Sequence, residues 1–218
     1  VLCELDGTPA AVEQEMKLVE RIVRRAGAVS ISISQDEDQR LKLWAGRKNA
    51  FPAVGRIAPD YYCMDGTIPR RCLAEVLEGI SRLSASYGLP VANVFHAGDG
   101  NLHPLILFDA NDDAQAKKAD VLGGEILELC IAVGGTITGE HGVGREKINQ
   151  MCLQFSTAEL DQFHALRQVF DDTGLMNPGK AIPTLSRCAE FGRMHVQNGK
   201  LPFPDLPRFY SYSCQNVI

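Results

Sequence analysis

The most constraining feature of this sequence is a turn signal between two apolar runs. Asp99-Gly100 is a strong two-residue hairpin signal, and residues 91–97 and 102–108 on either side of it are mostly apolar. Centring the turn on this pair predicts that His96 lies directly opposite His103. Opposed residues on one face of a sheet have Cβ atoms about 5 Å apart, so the two imidazoles can share one metal ion. The alternative, two histidines that are only packed and hydrogen-bonded, stays open here.

A glycine-rich segment, G-E-H-G-V-G at positions 139–144, supplies the second candidate cluster. Glycines let backbone and ligands approach closely. Glu140 is a suitable third metal ligand, which gives a His/His/Glu set with an open position of the kind found at catalytic sites. His141 is then free to act as a base. An ordinary surface loop is the alternative interpretation. Arg47 is our preferred side chain for holding an anionic substrate, because a bidentate guanidinium suits a carboxylate.

The predicted elements indicate an α+β fold. Strands are predicted at 1–5 and 28–34 as well as in the hairpin, and amphipathic helices separate them without a strict strand–helix alternation. This order favours an antiparallel sheet with helices on one face. We divide the chain into a sheet domain at 1–134, a helical part at 135–187 that carries the glycine-rich loops, and an extended tail at 188–218.

Composition and motifs exclude several classes of protein. The net charge of −5 argues against nucleic-acid binding, and no apolar run reaches the roughly 18 residues of a membrane span. The sequence has neither a G-x-G-x-x-G turn after a strand nor a P-loop, so it contains no recognisable nucleotide-phosphate cradle. The seven cysteines are irregularly spaced, which favours a reducing cytoplasmic compartment over a disulfide framework.

Three motifs together resemble those of a known family: H-A-G-D-G-N-L-H at 96–103, G-E-H-G-V-G-R-E-K at 139–147 and M-N-P-G-K at 176–180. The chain is similar to the C-terminal domain of FAD-linked 2-hydroxy-acid oxidases, in the vanillyl-alcohol-oxidase-like superfamily. Residues 44–51, 60–71 and 199–208 look closest to the flavoprotein subunits of bacterial glycolate oxidases. The resemblance implies a ferredoxin-like substrate or cap domain followed by a helical part.

The resemblance also implies roles for individual residues. His96, His103 and Glu140 match positions that bind a divalent metal, which we expect to be zinc. His141 matches the base beside the flavin, Asn177 matches a residue that touches the flavin ring, and Arg47 matches an arginine that binds the substrate carboxylate. Cys63 stands where relatives that act on dicarboxylates carry a basic residue, which favours glycolate or D-lactate as the substrate.

The resemblance further implies that FAD is bound largely by an N-terminal domain that these 218 residues lack. The expected activity is oxidation of a small 2-hydroxy acid within the complete enzyme, and the isolated chain is expected to be inactive. Expected partners are the iron–sulfur subunit and a second flavoprotein-like subunit of a glycolate-oxidase-like complex. The location is expected to be cytoplasmic, with peripheral attachment to the inner membrane through partners as an alternative. Two other functions stay open: a non-catalytic metal- or partner-binding module, and a metal-dependent hydrolase.

Overall fold

The computed structural model describes residues 1–183, and the chain divides into two compact units. The first unit is Val1–Ile57, and the second begins at Ala58 and contains the sheet. The helices of the first unit are α1 (Pro9–Arg25), α2 (Glu37–Lys48) and the short α3 (Ala50–Ala53), which a 3₁₀ turn (Val54–Arg56) follows.

Helix α1 begins as its sequence predicts. The Thr8 hydroxyl accepts from the Ala11 N–H at 3.4 Å, and Pro9 occupies the first helical position. The predicted strands at 1–5 and 28–34 are wrong, because these residues pair with no strand of the described chain. Alternating apolar residues favour a strand but supply no partner to complete its hydrogen bonds, and Val29 is fully exposed.

The second unit contains one antiparallel sheet with β4 in its centre. Its strands are β1 (Asp60–Cys63), β2 (Gly66–Thr67), β3 (Val91–His96) and β4 (Asn101–Phe108). Strands β1 and β2 pair with β4 in one continuous register, because Cys63 lies opposite Leu105 and Gly66 lies opposite Leu102. They are therefore two parts of one strand, interrupted at Met64 and Asp65.

Two helices pack on this sheet, α4 (Leu73–Tyr87) and α5 (Asp113–Ala132). Leu102 and Ile106 of β4 are fully buried in one core with Ile80 of α4 and Ile126 of α5. Side chains alternate along a strand, so His103 points away from this core. The predicted α+β fold, an antiparallel sheet with packed helices, is confirmed.

Two further helices follow the glycine-rich segment, α6 (Ile148–Gln154) and α7 (Thr157–Phe170). Ser156 and Glu159 form a capping box at the start of α7. Within residues 1–183 no helix has both the length and the apolarity to cross a membrane. The boundary at 134 remains a prediction, and the predicted tail at 188–218 lies outside the described residues.

Candidate functional site

The histidine hairpin forms, but with a longer turn than its sequence predicts. Residues 97–100 make a four-residue turn in which the Gly100 N–H donates to the His96 carbonyl at 3.0 Å. The register therefore places His96 opposite Asn101 and Val94 opposite His103. The predicted direct pairing of His96 with His103 is wrong by two residues. Because side chains repeat every second residue, both histidines still share one face, with ring centroids 5.5 Å apart.

Glu140 brings the hairpin and the glycine-rich loop together. Its Oε1 atom accepts from His103 Nε2 at 2.9 Å and from Asn101 Nδ2 at 2.7 Å. His96 Nε2 lies 3.6 Å from the same oxygen. His103 is buried, whereas the Glu140 and His96 side chains are about half exposed. The three predicted metal ligands therefore meet around one carboxylate oxygen at the surface.

Asn101 is a site residue that the sequence analysis did not identify. Its amide N–H group donates to Glu140, and its Oδ1 atom accepts from the Thr67 hydroxyl at 3.4 Å. The longer turn, which places Asn101 opposite His96, moves this side chain from the turn to the site.

His141 lies against the face of the His103 ring. The two rings are nearly parallel, with an interplanar angle of 13° and centroids 5.0 Å apart. A ring nitrogen binds a proton or metal in the plane of its imidazole. Glu140, by contrast, approaches His103 at its Nε2 atom.

Asp65 is the second residue that the sequence analysis missed. Its side chain is fully buried, and its carboxylate accepts from the backbone N–H groups of Gly139, Glu140 and His141. Burial raises the pKa of Asp65, but the hydrogen bonds from His141 and neighbouring donors and the charge of buried Lys147 outweigh it. They hold that pKa well below its usual range, so Asp65 is ionised.

Two overlapping groups of possible ligands surround His103. Their ligand atoms lie within 4.8 Å of one another in the set Asp65, His103, Glu140 and His141 and in the set Cys63, His103 and His141. Burial, followed by the negative charge of Asp65, raises the pKa of the Cys63 thiol to about 11, which disfavours a thiolate ligand. Burial lowers the pKa of His103 despite Glu140, which favours the neutral imidazole that binds metals.

An open cavity of about 390 Å³ adjoins this cluster, and His96, Asn101 and Glu140 contribute to its lining. Gly139 lines it as well, and a Cβ atom at this position would lie 2.5 Å from Asn101 Oδ1. The close approach of the loop to the hairpin therefore requires a glycine here. A small polar ligand can reach His96 and the Glu140 carboxylate through this opening.

The two other predicted site residues lie elsewhere in the described chain. Arg47 is in helix α2 of the first unit. Asn177 adopts a positive φ of 48° in the turn after α7, where its carbonyl accepts from Arg167 at 2.9 Å. The predicted contacts of Arg47 with substrate and of Asn177 with flavin remain predictions.

Comparisons with known proteins agree with the sequence motifs. Residues 1–181 match the family described as FAD linked oxidases, C-terminal domain. The chain is 65% identical over 209 residues to glycolate oxidase subunit GlcD of Escherichia coli K12, covering 96% of the chain and 42% of that protein. It is 35% identical over 180 residues to the GlcD subunit of Bacillus subtilis, covering 83% and 38%.

A more distant relative is the cytochrome-linked mitochondrial D-lactate dehydrogenase of Arabidopsis thaliana, 29% identical over 185 residues, with 84% of this chain and 33% of that protein covered. The structure of p-cresol methylhydroxylase with substrate bound superposes with a TM-score of 0.58 at 17% identity, covering 84% of this chain and 37% of that one. This structural likeness concerns the fold alone. The chain spans about two fifths of the length of the curated relatives it matches, or less.

Proposed function

Because the chain belongs to the FAD-linked oxidase family, whose C-terminal domain it matches, we propose that it is the substrate half of a 2-hydroxy-acid dehydrogenase. The proposed substrate is glycolate or D-lactate, and the product is the corresponding 2-oxo acid. The observation that carries this proposal is the meeting of His96, His103 and Glu140 around one carboxylate oxygen, with His141 beside them.

We propose that a divalent metal, zinc, is bound by His96, His103 and Glu140, which meet around one carboxylate oxygen. Two imidazoles and a carboxylate are donors that zinc prefers, and His96 and Glu140 border an open cavity. A metal at this position would supply positive charge that favours ionisation of the substrate hydroxyl. Asn101 orients the carboxylate through its 2.7 Å hydrogen bond.

The chain's own residues then bind the substrate and remove one proton. We assign Arg47 to the substrate carboxylate and a ring nitrogen of His141 to the hydroxyl proton, since histidine is the side chain that most often acts as a general base. When bound, FAD supplies the acceptor for the Cα hydrogen and its electron pair.

Asn177 is our candidate contact to the flavin. Its turn is held by Arg167, which donates to the backbone carbonyls of both Asn177 and Lys180. Most contacts to FAD are assigned to residues outside this chain, because the relatives are more than twice as long as the part it matches.

The proposed setting is a multisubunit enzyme. The relatives from E. coli and B. subtilis are named as subunits of glycolate oxidase. We therefore assign an iron–sulfur subunit and a second flavoprotein-like subunit as partners. The proposed location is the cytoplasm, with peripheral attachment to the inner membrane through these partners as the alternative.

A chimera tests this function. The matching 209 residues of the E. coli relative are replaced by this chain, and flavin content and dye reduction with glycolate or D-lactate are measured. We expect a flavin-containing chimera that oxidises at least one of the two acids and loses activity on His141→Asn. His164→Ala is the matched control, because His164 interacts with the Pro183 carbonyl and has no proposed role in the reaction.

A flavin-loaded chimera that oxidises neither acid contradicts the proposal. The chain alone is expected to carry little FAD and to turn over neither acid. Zinc-dependent ester hydrolysis by the chain without flavin would instead favour the metal-hydrolase alternative.

A further inference from the structure

Asp65 occupies an unusual place for a charged residue. It lies in the interruption between β1 and β2, and the continuous register there puts it opposite His103 on β4. Its side chain has no exposed surface. A buried carboxylate is costly unless hydrogen bonds and an opposite charge compensate it, so its partners identify its role.

Those partners come from the loop that carries Glu140 and His141. The Asp65 Oδ2 atom accepts from the Gly139 N–H at 3.1 Å, the Glu140 N–H at 3.2 Å and the His141 N–H at 2.9 Å. It also accepts from the Thr138 hydroxyl at 2.8 Å. Consecutive backbone N–H groups that converge in this way form an anion-binding nest, and here the chain supplies the anion itself.

Lys147 completes the arrangement from the other end of the loop. Its ammonium lies 3.1 Å from Asp65 Oδ2 and donates to the Asp65 carbonyl at 3.3 Å, and its side chain is only 3% exposed. Buried ion pairs add little net stability but can select one conformation. The pair therefore fixes both ends of the segment 138–147 to the interruption between β1 and β2.

We propose that Asp65 is the positioning residue of this site, which folds the loop around its carboxylate and thereby directs Glu140 and His141 toward His103. The backbone N–H groups of the loop point to Asp65, while Glu140 Oε1 and the His141 ring both reach His103. The consequence for metal binding and catalysis rests on the proposed function, whereas the ordering of the loop by Asp65 is independent of it.

The test uses the double variant Asp65→Asn/Lys147→Met in the full 218-residue chain. It removes both charges together and keeps similar side-chain volumes, so no buried charge is left unpaired. Amide hydrogen exchange of the 136–144 segment is measured by mass spectrometry, and zinc affinity is measured by calorimetry with zinc alone. We expect exchange at 139–141 to become about tenfold faster or more, since hydrogen bonds to charged acceptors are lost. Zinc affinity is expected to fall about 10–100-fold, as for other indirect partners of metal ligands.

Asp112→Ala is the matched control. Asp112 also accepts from two backbone N–H groups, those of Ala114 and Gln115 at the start of α5, beyond the end of β4 remote from His103. Its loss should leave exchange at 136–144 and zinc affinity unchanged.

Unchanged exchange at 136–144 in the double variant overturns the proposal. If that variant does not fold, Thr138→Val decides, because it removes one donor to Asp65 and keeps the ion pair. It should speed exchange at 139–141, and an unchanged rate overturns the proposal. A wild-type chain that binds no zinc contradicts the proposed metal site, while the exchange measurement still decides the role of Asp65.

Discussion

The substitution Glu140→Gln should weaken zinc binding strongly while lowering the stability of the fold only slightly. The substitution keeps the side-chain shape and removes the charge that Asn101 and His103 contact at 2.7 and 2.9 Å. The Glu140 side chain is 51% exposed, so solvent screens these interactions and their loss should cost at most about 1 kcal/mol of unfolding free energy. For a chain of this size, this corresponds to a fall in Tm of less than about 4 °C.

The effect on zinc binding should be far larger. Loss of even an indirect partner of a metal ligand costs about 10–100-fold in affinity, and we expect loss of a direct carboxylate ligand to cost about 100-fold or more. At zinc concentrations about 100 times the wild-type Kd, binding stabilises the wild type by about 2.7 kcal/mol. A 100-fold weaker variant would gain only about 0.4 kcal/mol under the same conditions.

His141→Asn is the contrasting variant. Because the His141 ring lies on the face of His103 at 5.0 Å rather than at its Nε2 atom, this variant should keep its zinc-dependent gain in stability. In the chimera it should lower kcat by about 10²–10⁴, the usual contribution of a general base.

The assay is thermal unfolding with and without zinc, together with zinc content by elemental analysis. If Glu140→Gln keeps zinc while His141→Asn loses it, the two roles are reversed. If both variants keep zinc and full turnover, the glycine-rich loop is structural and the site assignment is wrong.

Two other predictions concern the residues outside this cluster. Arg167→Met should loosen the turn that contains Asn177, because Arg167 donates to the Asn177 carbonyl at 2.9 Å. We expect the chimera with this substitution to retain less flavin, as measured by absorbance. Unchanged flavin retention would mean that this turn does not contact the cofactor. Arg47→Met should mainly raise KM for the hydroxy acid in steady-state kinetics, because a carboxylate contact of equal strength in ground and transition states affects binding alone; a fall in kcat at constant KM would refute that role.

The meeting of the three candidate metal ligands could be predicted from sequence because their signals are local. The turn signal between two apolar runs requires a hairpin, and either turn length leaves His96 and His103 on one face, since a shift of two residues preserves the side of the sheet. Glu140 was found in the same way, from its glycine neighbours. The prediction was right about which side chains meet and wrong about the register that brings them together.

The role of Asp65 and the register of the histidine hairpin could not be predicted, because the contacts that determine them come from residues far away in the sequence. The donors to the Asp65 side chain are 73–82 residues away. The four-residue turn is tied to the other edge of the sheet by a hydrogen bond from the Ile68 N–H to the Gly100 carbonyl at 2.9 Å. No local pattern contains such contacts. At 1–5 and 28–34 the local pattern suits a strand, but the described fold provides no neighbouring strand to pair with it, so the predicted strands do not form.

The two glycines of this turn test whether the longer turn is required. Gly100 has a φ of +75°, and a Cβ atom there would lie 2.2 Å from the Ile68 carbonyl oxygen, whereas Gly98 has open space around it. Gly100→Ala should therefore cost about 1–2 kcal/mol for the left-handed backbone and about 1–3 kcal/mol for the steric overlap. Gly98→Ala should change stability by less than about 0.5 kcal/mol. Denaturant unfolding measures both, and calorimetry with zinc should show weaker binding only in Gly100→Ala, because His96 is held by this turn. Equal effects of the two substitutions would mean that Gly100 does not set the register.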